Sequence, residues 1–452
     1  MPPRNLNVIL VSAFIAVMCY MTHRRARTAI MVGDALDMID RYYVDPVDKD
    51  SLLTAAMDGM TGSLDEHSSF IPGDAYESFR DSINQEFAGI GIFVEQPDSN
   101  RPVRVITPLV GSPALEAGIL PDDRIIEVDD VDVSKMLLKE VSDRLKGPIG
   151  TMVKVKVRRQ AGEEIAMSVG RATIELESVI GDHRDKNNKW VYRLKSQPSI
   201  AYIRLTSFGE KTVDELQSVL SRLDNDFDAL VLDVRGNSGG LLYAARDISD
   251  MFIDSGRIVS TKIRGGIVEE VYDASPGTLV NKDKPVAILI DGGSASASEI
   301  VAACLQDNRR ATIVGTRSYG KGTVQNILPL QFGRSALRLT VARYYRPSDQ
   351  NIHRDKDATD EDVWGVTPEG ENLVVVDEET LKKLSDRLRE ASYPLLSDST
   401  ATSDSAQADP SNTESELDYD PQLKRAYEVL MNELNPSASH QSSSPGKELI
   451  KN

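Results

Sequence analysis

Two apolar stretches in the C-terminal half each run straight into a turn built from glycine and serine, and this pairing constrains the chain more than any other feature. Residues 229–234 read as a mostly apolar strand with Asp233 near its end, followed by Gly236, Asn237, Ser238, Gly239 and Gly240. Residues 286–290 read as a buried strand, followed by Asp291-Gly292-Gly293-Ser294-Ala295-Ser296-Ala297-Ser298-Glu299 and then a helical pattern over residues 298–306. A further strand at 200–205 and helices at 213–223 and 241–252 surround them. Strands therefore alternate with helices over residues 174–391, and such alternation builds a layered α/β fold.

The texture differs upstream. Between residues 80 and 173, short β-rich runs at 90–95, 103–106, 124–128, 151–158 and 164–169 are separated by turn residues, with helical patterns at 113–118 and 139–146. The region opens on Gly89-Ile90-Gly91-Ile92. A glycine turn there can present backbone N–H groups to a carboxylate, and the following edge strand can pair with an extended peptide. Ser112-Pro113-Ala114-Leu115-Glu116-Ala117-Gly118-Ile119 reads as a short helix closed by Gly118. In this order the stretches resemble a PDZ domain. Residues 27–79 carry Ile30, Leu36, Ile39, Leu52, Leu53, Ala56 and Met60 at helical spacing, broken at Tyr43-Val44-Asp45-Pro46. Residues 392–422 hold no Lys or Arg and are rich in Ser, Thr and Asp, so they read as a disordered linker. Residues 423–452 read as a helix (Leu423, Tyr427, Leu430, Met431, Leu434) with a disordered Ser-rich tail.

Charge narrows the partners. The 70 acidic residues against 52 basic ones give a formal charge of −18, which argues against nucleic acid and anionic membrane surfaces. The two cysteines, Cys19 and Cys304, cannot by themselves build a disulfide framework or a zinc site. At the N-terminus, Arg4 precedes an apolar run over residues 8–21, and His23, Arg24, Arg25 and Arg27 follow. The run is shorter than the roughly 20 residues needed to cross a bilayer comfortably. Residues 1–26 are read as a signal-anchor or a signal peptide, and either exports the chain to an extracytoplasmic (periplasmic or cell-surface) location. With no obvious A-x-A site, an uncleaved anchor giving N-terminal membrane association is preferred. The arginines after the run favour the opposite orientation.

A serine at a strand-to-helix turn is exposed beside unpaired helix N–H groups, which can stabilise an oxyanion. Serine in that place is also a common helix N-cap. None of His23, His67, His183, His353 and His440 lies in a recognisable triad motif, G-x-S-x-G is absent, and His183 and His353 stay open as bases. The other option is Lys321, flanked by glycines in Ser318-Tyr319-Gly320-Lys321-Gly322-Thr323-Val324-Gln325. A lysine acting as base near neutral pH must have its pKa brought from about 10.4 to roughly 7 or 8, which burial can supply. A surface lysine in a glycine turn is the plainer alternative. A phosphate loop is not met, because Gly322 follows Lys321.

Together these segments resemble the C-terminal processing peptidases, or tail-specific proteases, of the Ser–Lys type. The shared pieces include Ser63-Leu64-Asp65-Glu66-His67-Ser68-Ser69-Phe70, the PDZ-like region and Tyr202-Ile203-Arg204-Leu205. They continue with Leu232 to Gly240, Gly293 to Ile300, Gly320 to Gln325 and Gly365-Val366-Thr367-Pro368-Glu369. The resemblance implies an α/β protease core with a crotonase/ClpP-like layered β-β-α arrangement at 174–391, an inserted PDZ-like β domain at 80–173 and an N-terminal helical segment at 27–79. It implies a serine endopeptidase cutting proteins near their C-termini, with Ser296 as nucleophile, Lys321 as general base and Gln325 orienting its amine. The oxyanion hole is then Ala297 with Gly239 or Gly240. That choice stays open because Ser238 stands where the family usually has proline. Gly89, Ile90, Gly91 and Ile92 would bind a C-terminal tail with an apolar last side chain. No metal or organic cofactor is implied. The expected partners are protein substrates, an activating adaptor and a homodimer; residues 27–79 and the helix 423–434 read either as its contacts or as helices packed on the same chain's core. The alternatives are a catalytically silent PDZ scaffold and, more remotely, crotonase-like acyl-CoA chemistry.

Overall fold

The computed structural model describes residues 3–330, 334–359, 361–393 and 415–435. Most of the expected linker (394–414), and the tail (436–452) with His440, lie outside the described residues. The chain divides into two compact units, Met1–Tyr76 with Gln325–Thr340, and Glu77–Val324 with Val341–Asn452.

In the first unit, helix Pro3–Tyr42 is followed by helix Lys49–Gly62. The break falls where the sequence places it, and Asp48 restarts the helix by accepting hydrogen bonds from the Asp50 and Ser51 amides. Strand Ser69–Ile71 pairs antiparallel with the start of strand Ser335–Tyr345, Phe70 opposite Leu337. The N-terminal apolar run lies inside the first helix, which continues through the arginines that follow it. Among the described residues no helix is long and apolar enough to cross a membrane.

In the second unit, strand Glu86–Gly89 pairs with Ala172–Glu175, so the β region leaves and rejoins the rest of the chain at one place. Between them runs a sheet in the order Ile92–Glu95, Arg104–Pro108, Arg124–Val128, Met152–Arg158, Glu164–Gly170. Strand Met152–Arg158 shows why it forms: Val153, Val155 and Val157 are buried while Met152 and Lys154 face water, the two-residue period of a one-sided sheet. The run expected at 90–95 divides, because Ile90 turns into the core and Gly91 takes a φ of 79°. Only Ile92–Glu95 forms the edge strand.

The core sheet follows the order Val179–Ile180, Ile200–Leu205, Ala229–Asp233, Val286–Ile290, Thr312–Gly315. Its last four strands are parallel. Both faces are covered, as continuous apolar strands require. Leu230, Leu232, Ile288 and Ile290 point to one side, where helices Thr212–Leu223, Leu242–Asp250 and Ala297–Asp307 bring Leu216, Ile248, Ile300 and Val301. Ala229, Val231, Ala287 and Leu289 point to the other, where helix Pro421–Leu434 brings Leu423, Ala426 and Leu430. The layered α/β core with an inserted PDZ-like β domain and N-terminal helices is the architecture read from the sequence.

One expectation is corrected. The stretch 392–422 is not wholly a disordered linker: Ser392 ends helix Glu378–Ser392, and residues 415–422 are ordered as helix Glu416–Tyr419 and the first turn of Pro421–Leu434. Composition misleads there because order comes from buried polar groups, with Glu416, Asp420 and Gln422 almost fully enclosed. Of the two readings open for the helix at 423–434, packing on its own chain is the one seen: its apolar face is buried against the core sheet. Leu430 is completely buried, so Leu430→Ala leaves a cavity costing about 2–5 kcal/mol. Urea unfolding should show a clearly lowered midpoint with unchanged slope, and an unaltered midpoint would mean the helix is not seated.

Candidate active site

The turn after strand Val286–Ile290 is stitched to the turn after Ala229–Asp233. Asp291 Oδ1 accepts from the Gly293 amide (2.9 Å) and from the Gly236 amide across the gap (2.8 Å). Ser294 Oγ donates to the Val234 carbonyl (2.8 Å), and Ser298 Oγ to the Asn237 carbonyl (2.8 Å). The Ala295 amide also donates to the Asn237 carbonyl (3.0 Å). Two of the three serines therefore spend their hydroxyls on holding the turns together. Ser296 does not.

Ser296 stands in the N-cap place of helix Ala297–Asp307, yet its hydroxyl makes no capping bond. Its backbone has φ 56° and ψ −113°, a region costly for a residue with a side chain and one that clusters at functional sites. The capping duty passes to Glu299, whose Oε2 accepts from the Ser296 amide at 2.8 Å. Near the hydroxyl lies the phenol of Tyr344, whose pKa burial pushes up to about 12, with the hydrogen bond to Ser296 acting against that rise.

Glu299 is fully buried and accepts four hydrogen bonds. Oε1 takes Ser318 Oγ (2.6 Å) and the Gly320 amide (2.7 Å), while Oε2 takes the Ser296 amide and the Lys321 amide (2.9 Å). Burial raises its pKa, and the four donors work against that rise. One carboxylate thus joins the backbones of Ser296 and Lys321. The glycines beside Lys321 are required: a Cβ on Gly320, whose φ is 86°, would lie 2.7 Å from Arg354 Cβ. The Lys321 side chain is partly buried. The motif Gly365-Val366 finds its use here too, since the Val366 amide donates to Ser318 Oγ (2.7 Å).

In the turn 236–240, the Gly239 amide donates to Asn237 Oδ1 (2.9 Å), so it is engaged. The amides of Gly240 and Ala297 meet no acceptor among the described residues. The backbone at Gly239 approaches the serine turn so closely that a Cβ would lie 2.6 Å from the Ala295 carbonyl oxygen, at a φ of 99°. Gln325 belongs to the first unit, where its Nε2 donates to Thr340 Oγ1 (3.3 Å) and Thr340 Oγ1 donates to Asp65 Oδ1 (3.2 Å). In the PDZ-like region, Gly89 ends a strand, Ile90 is in the core, Gly91 turns against Ser112 and Ile92 begins the edge strand. Among the described residues no group of acidic, histidine or cysteine side chains could hold a metal ion.

Glu299 lies within the serine motif but has no role in the expectations drawn from it. The signal was there in the spacing, a serine with a glutamate three residues on, which marks a helix start. Tyr344 had no signal, because only the fold brings it to Ser296. Glu299→Gln puts an NH2 donor where two donors already point, at a cost of about 1–3 kcal/mol for each buried group left unmatched. Thermal unfolding of this variant should fall by several degrees; unchanged stability would contradict the four-donor arrangement.

The chain matches peptidase family S41 over residues 199–369 and the PDZ domain over residues 104–159. It is 39% identical over 326 residues to the carboxy-terminal-processing protease of Bartonella bacilliformis, covering 71% of this chain and 71% of that protein. It is 32% identical over 320 residues to the carboxyl-terminal-processing protease of Synechocystis sp., covering 70% of this chain and 72% of that protein. Among solved structures, the photosystem II D1 C-terminal processing protease is similar at 26% identity and a TM-score of 0.41, over 74% of this chain and 90% of that one. The chain belongs to peptidase family S41, as a serine-type peptidase that carries a PDZ domain.

Proposed function

We propose that the chain is an endopeptidase that cuts proteins near their C-termini, with Ser296 as nucleophile and Lys321 as general base. The observation that carries this reading is the single buried carboxylate of Glu299, which accepts from the backbone amides of both residues. In the reaction, the neutral Lys321 amine takes the Ser296 hydroxyl proton as the oxygen attacks the scissile carbonyl. The amides of Ala297 and Gly240 receive the oxyanion. The proton then passes from Lys321 to the departing amine, leaving an acyl-enzyme that water hydrolyses. Gly239 serves this hole by its closeness rather than its amide, which is already engaged. Gln325 is carried as the orienting group for the lysine amine on the sequence resemblance.

The tail site is the edge strand Ile92–Glu95 with the turn from Gly89 to Ile92. An edge strand leaves backbone groups for one more strand, and a peptide C-terminus can add there. The export reading of residues 1–26 goes with this proposal, and cell fractionation that finds the chain in the cytoplasm would remove it.

An unstructured protein ending in an apolar residue is the substrate to offer. Ser296→Ala and Lys321→Ala should each lower kcat by roughly 10³-fold or more, as loss of a nucleophile or base does. Replacing the last apolar residue of the substrate with Asp should raise KM and spare kcat in a tail-bound complex. Full activity in either enzyme variant would take that residue out of the chemistry. Tail binding without any cutting by the unaltered chain would favour the silent scaffold.

A further inference from the structure

Arg235 lies between Asp233, at the end of the core strand, and the turn 236–240. Its guanidinium is buried and has both edges filled. One edge belongs to Asp233: Nε donates to Oδ1 (3.0 Å) and Nη2 to Oδ2 (2.7 Å). The other belongs to the C-terminal segment: Nη2 donates to Asp420 Oδ2 (2.9 Å), and Nη1 to Asp420 Oδ1 (3.1 Å) and Gln422 Oε1 (3.1 Å).

The charges show why this edge matters. Arg204 Nη1 also donates to Asp233 Oδ2 (2.8 Å), and so does the Tyr202 hydroxyl (2.7 Å). Without Asp420, two guanidiniums would share one buried carboxylate, and an uncompensated buried charge is strongly disfavoured. Asp420 balances the set.

The same network sets the backbone that enters the turn. The Arg235 amide donates to Asp233 Oδ1 (2.9 Å), and the Arg235 carbonyl accepts from Arg204 Nη2 (2.6 Å). The next amide, of Gly236, goes to Asp291 on the serine turn. Asp420 is itself held: it caps helix Pro421–Leu434 by accepting from the Gln422 and Leu423 amides, at 3.1 and 3.0 Å. Gln422 is oriented by its Nε2, which donates to the Val374 carbonyl (2.9 Å) and so turns its oxygen to Arg235.

We infer that the C-terminal segment, residues 415–435, positions the oxyanion turn: Asp420, supported by Gln422, grips Arg235 and thereby sets where the Gly240 amide points. Asp420 is a positioning residue that acts through Arg235 and touches no substrate. This inference deepens the proposed peptidase reading and rests on it for its effect on rate. A length of chain nearly 190 residues downstream of the turn, reached only after the acidic Ser-rich stretch, is then part of what makes the site competent.

Asp420→Ser in the full chain keeps a good N-cap while removing both contacts to the guanidinium. Asp420→Asn keeps the cap and one acceptor and serves if the serine variant folds poorly. Val219→Ala, in the core helix Thr212–Leu223, is the control for a general loss of stability. Hydrogen exchange is read on the peptide covering residues 234–241. We expect faster exchange there in Asp420→Ser and not in Val219→Ala. We also expect kcat to fall roughly tenfold or more with KM little changed, the pattern of a misplaced oxyanion donor. Asp420→Glu should recover part of the rate. Unchanged exchange at 234–241 overturns the inference, as does a kcat that falls no further than in Val219→Ala. If the unaltered chain cuts nothing, the peptidase reading fails, and the exchange comparison still decides whether the segment holds the turn.

Discussion

A carboxylate with no access to water organises this site. Placing Glu299 in the interior is unfavourable on its own, and the four donors that converge on its two oxygens offset that cost. Those donors come from two separate stretches of chain, the start of the helix Ala297–Asp307 and the glycine-rich segment around Lys321. The carboxylate can be satisfied only when both stretches are in place. The backbone strain at Ser296 persists for the same reason, since the Ser296 amide is fixed by one of these bonds and the chain on either side is stitched to the neighbouring turn.

A second buried set does for the neighbouring turn what Glu299 does for the serine. Burial alone would push the Asp233 pKa up, but the guanidiniums of Arg204 and Arg235 and the Tyr202 hydroxyl outweigh it and hold the carboxylate well below its ordinary range. A carboxylate held low stabilises the fold at every pH above its unfolded value, near 4, and that support is lost only in acid. The network therefore stays charged under physiological conditions. Both turns hang from parallel strands whose two faces are closed by helices, which keeps water away from the charges beneath.

Several elements were legible because their reasons are local. The strands Ile200–Leu205, Arg124–Val128 and Val286–Ile290 coincide with the apolar runs read from the sequence, and the break after Tyr42 falls at its Asp-Pro signal. Elsewhere the local pattern is not enough to set the structure. The run 90–95 divides because Gly91 bends the backbone, and residues 415–422 are ordered although their composition suggests otherwise.

The amino-acid sequence alone was enough to specify a layered α/β core, an inserted β domain and a short set of reactive candidates, because hydrophobic period and glycine placement act between near neighbours. Which of three serines keeps its hydroxyl out of the bonds that stitch the turns, which glycine amide is left without an acceptor, and what covers the far face of the sheet were settled by folding. Those answers depend on hydrogen bonds and ion pairs between residues far apart in the chain. Asp420 on Arg235 is the clearest case: neither residue marks the other in the sequence, and only the packed helix brings an acid to the arginine that needs one.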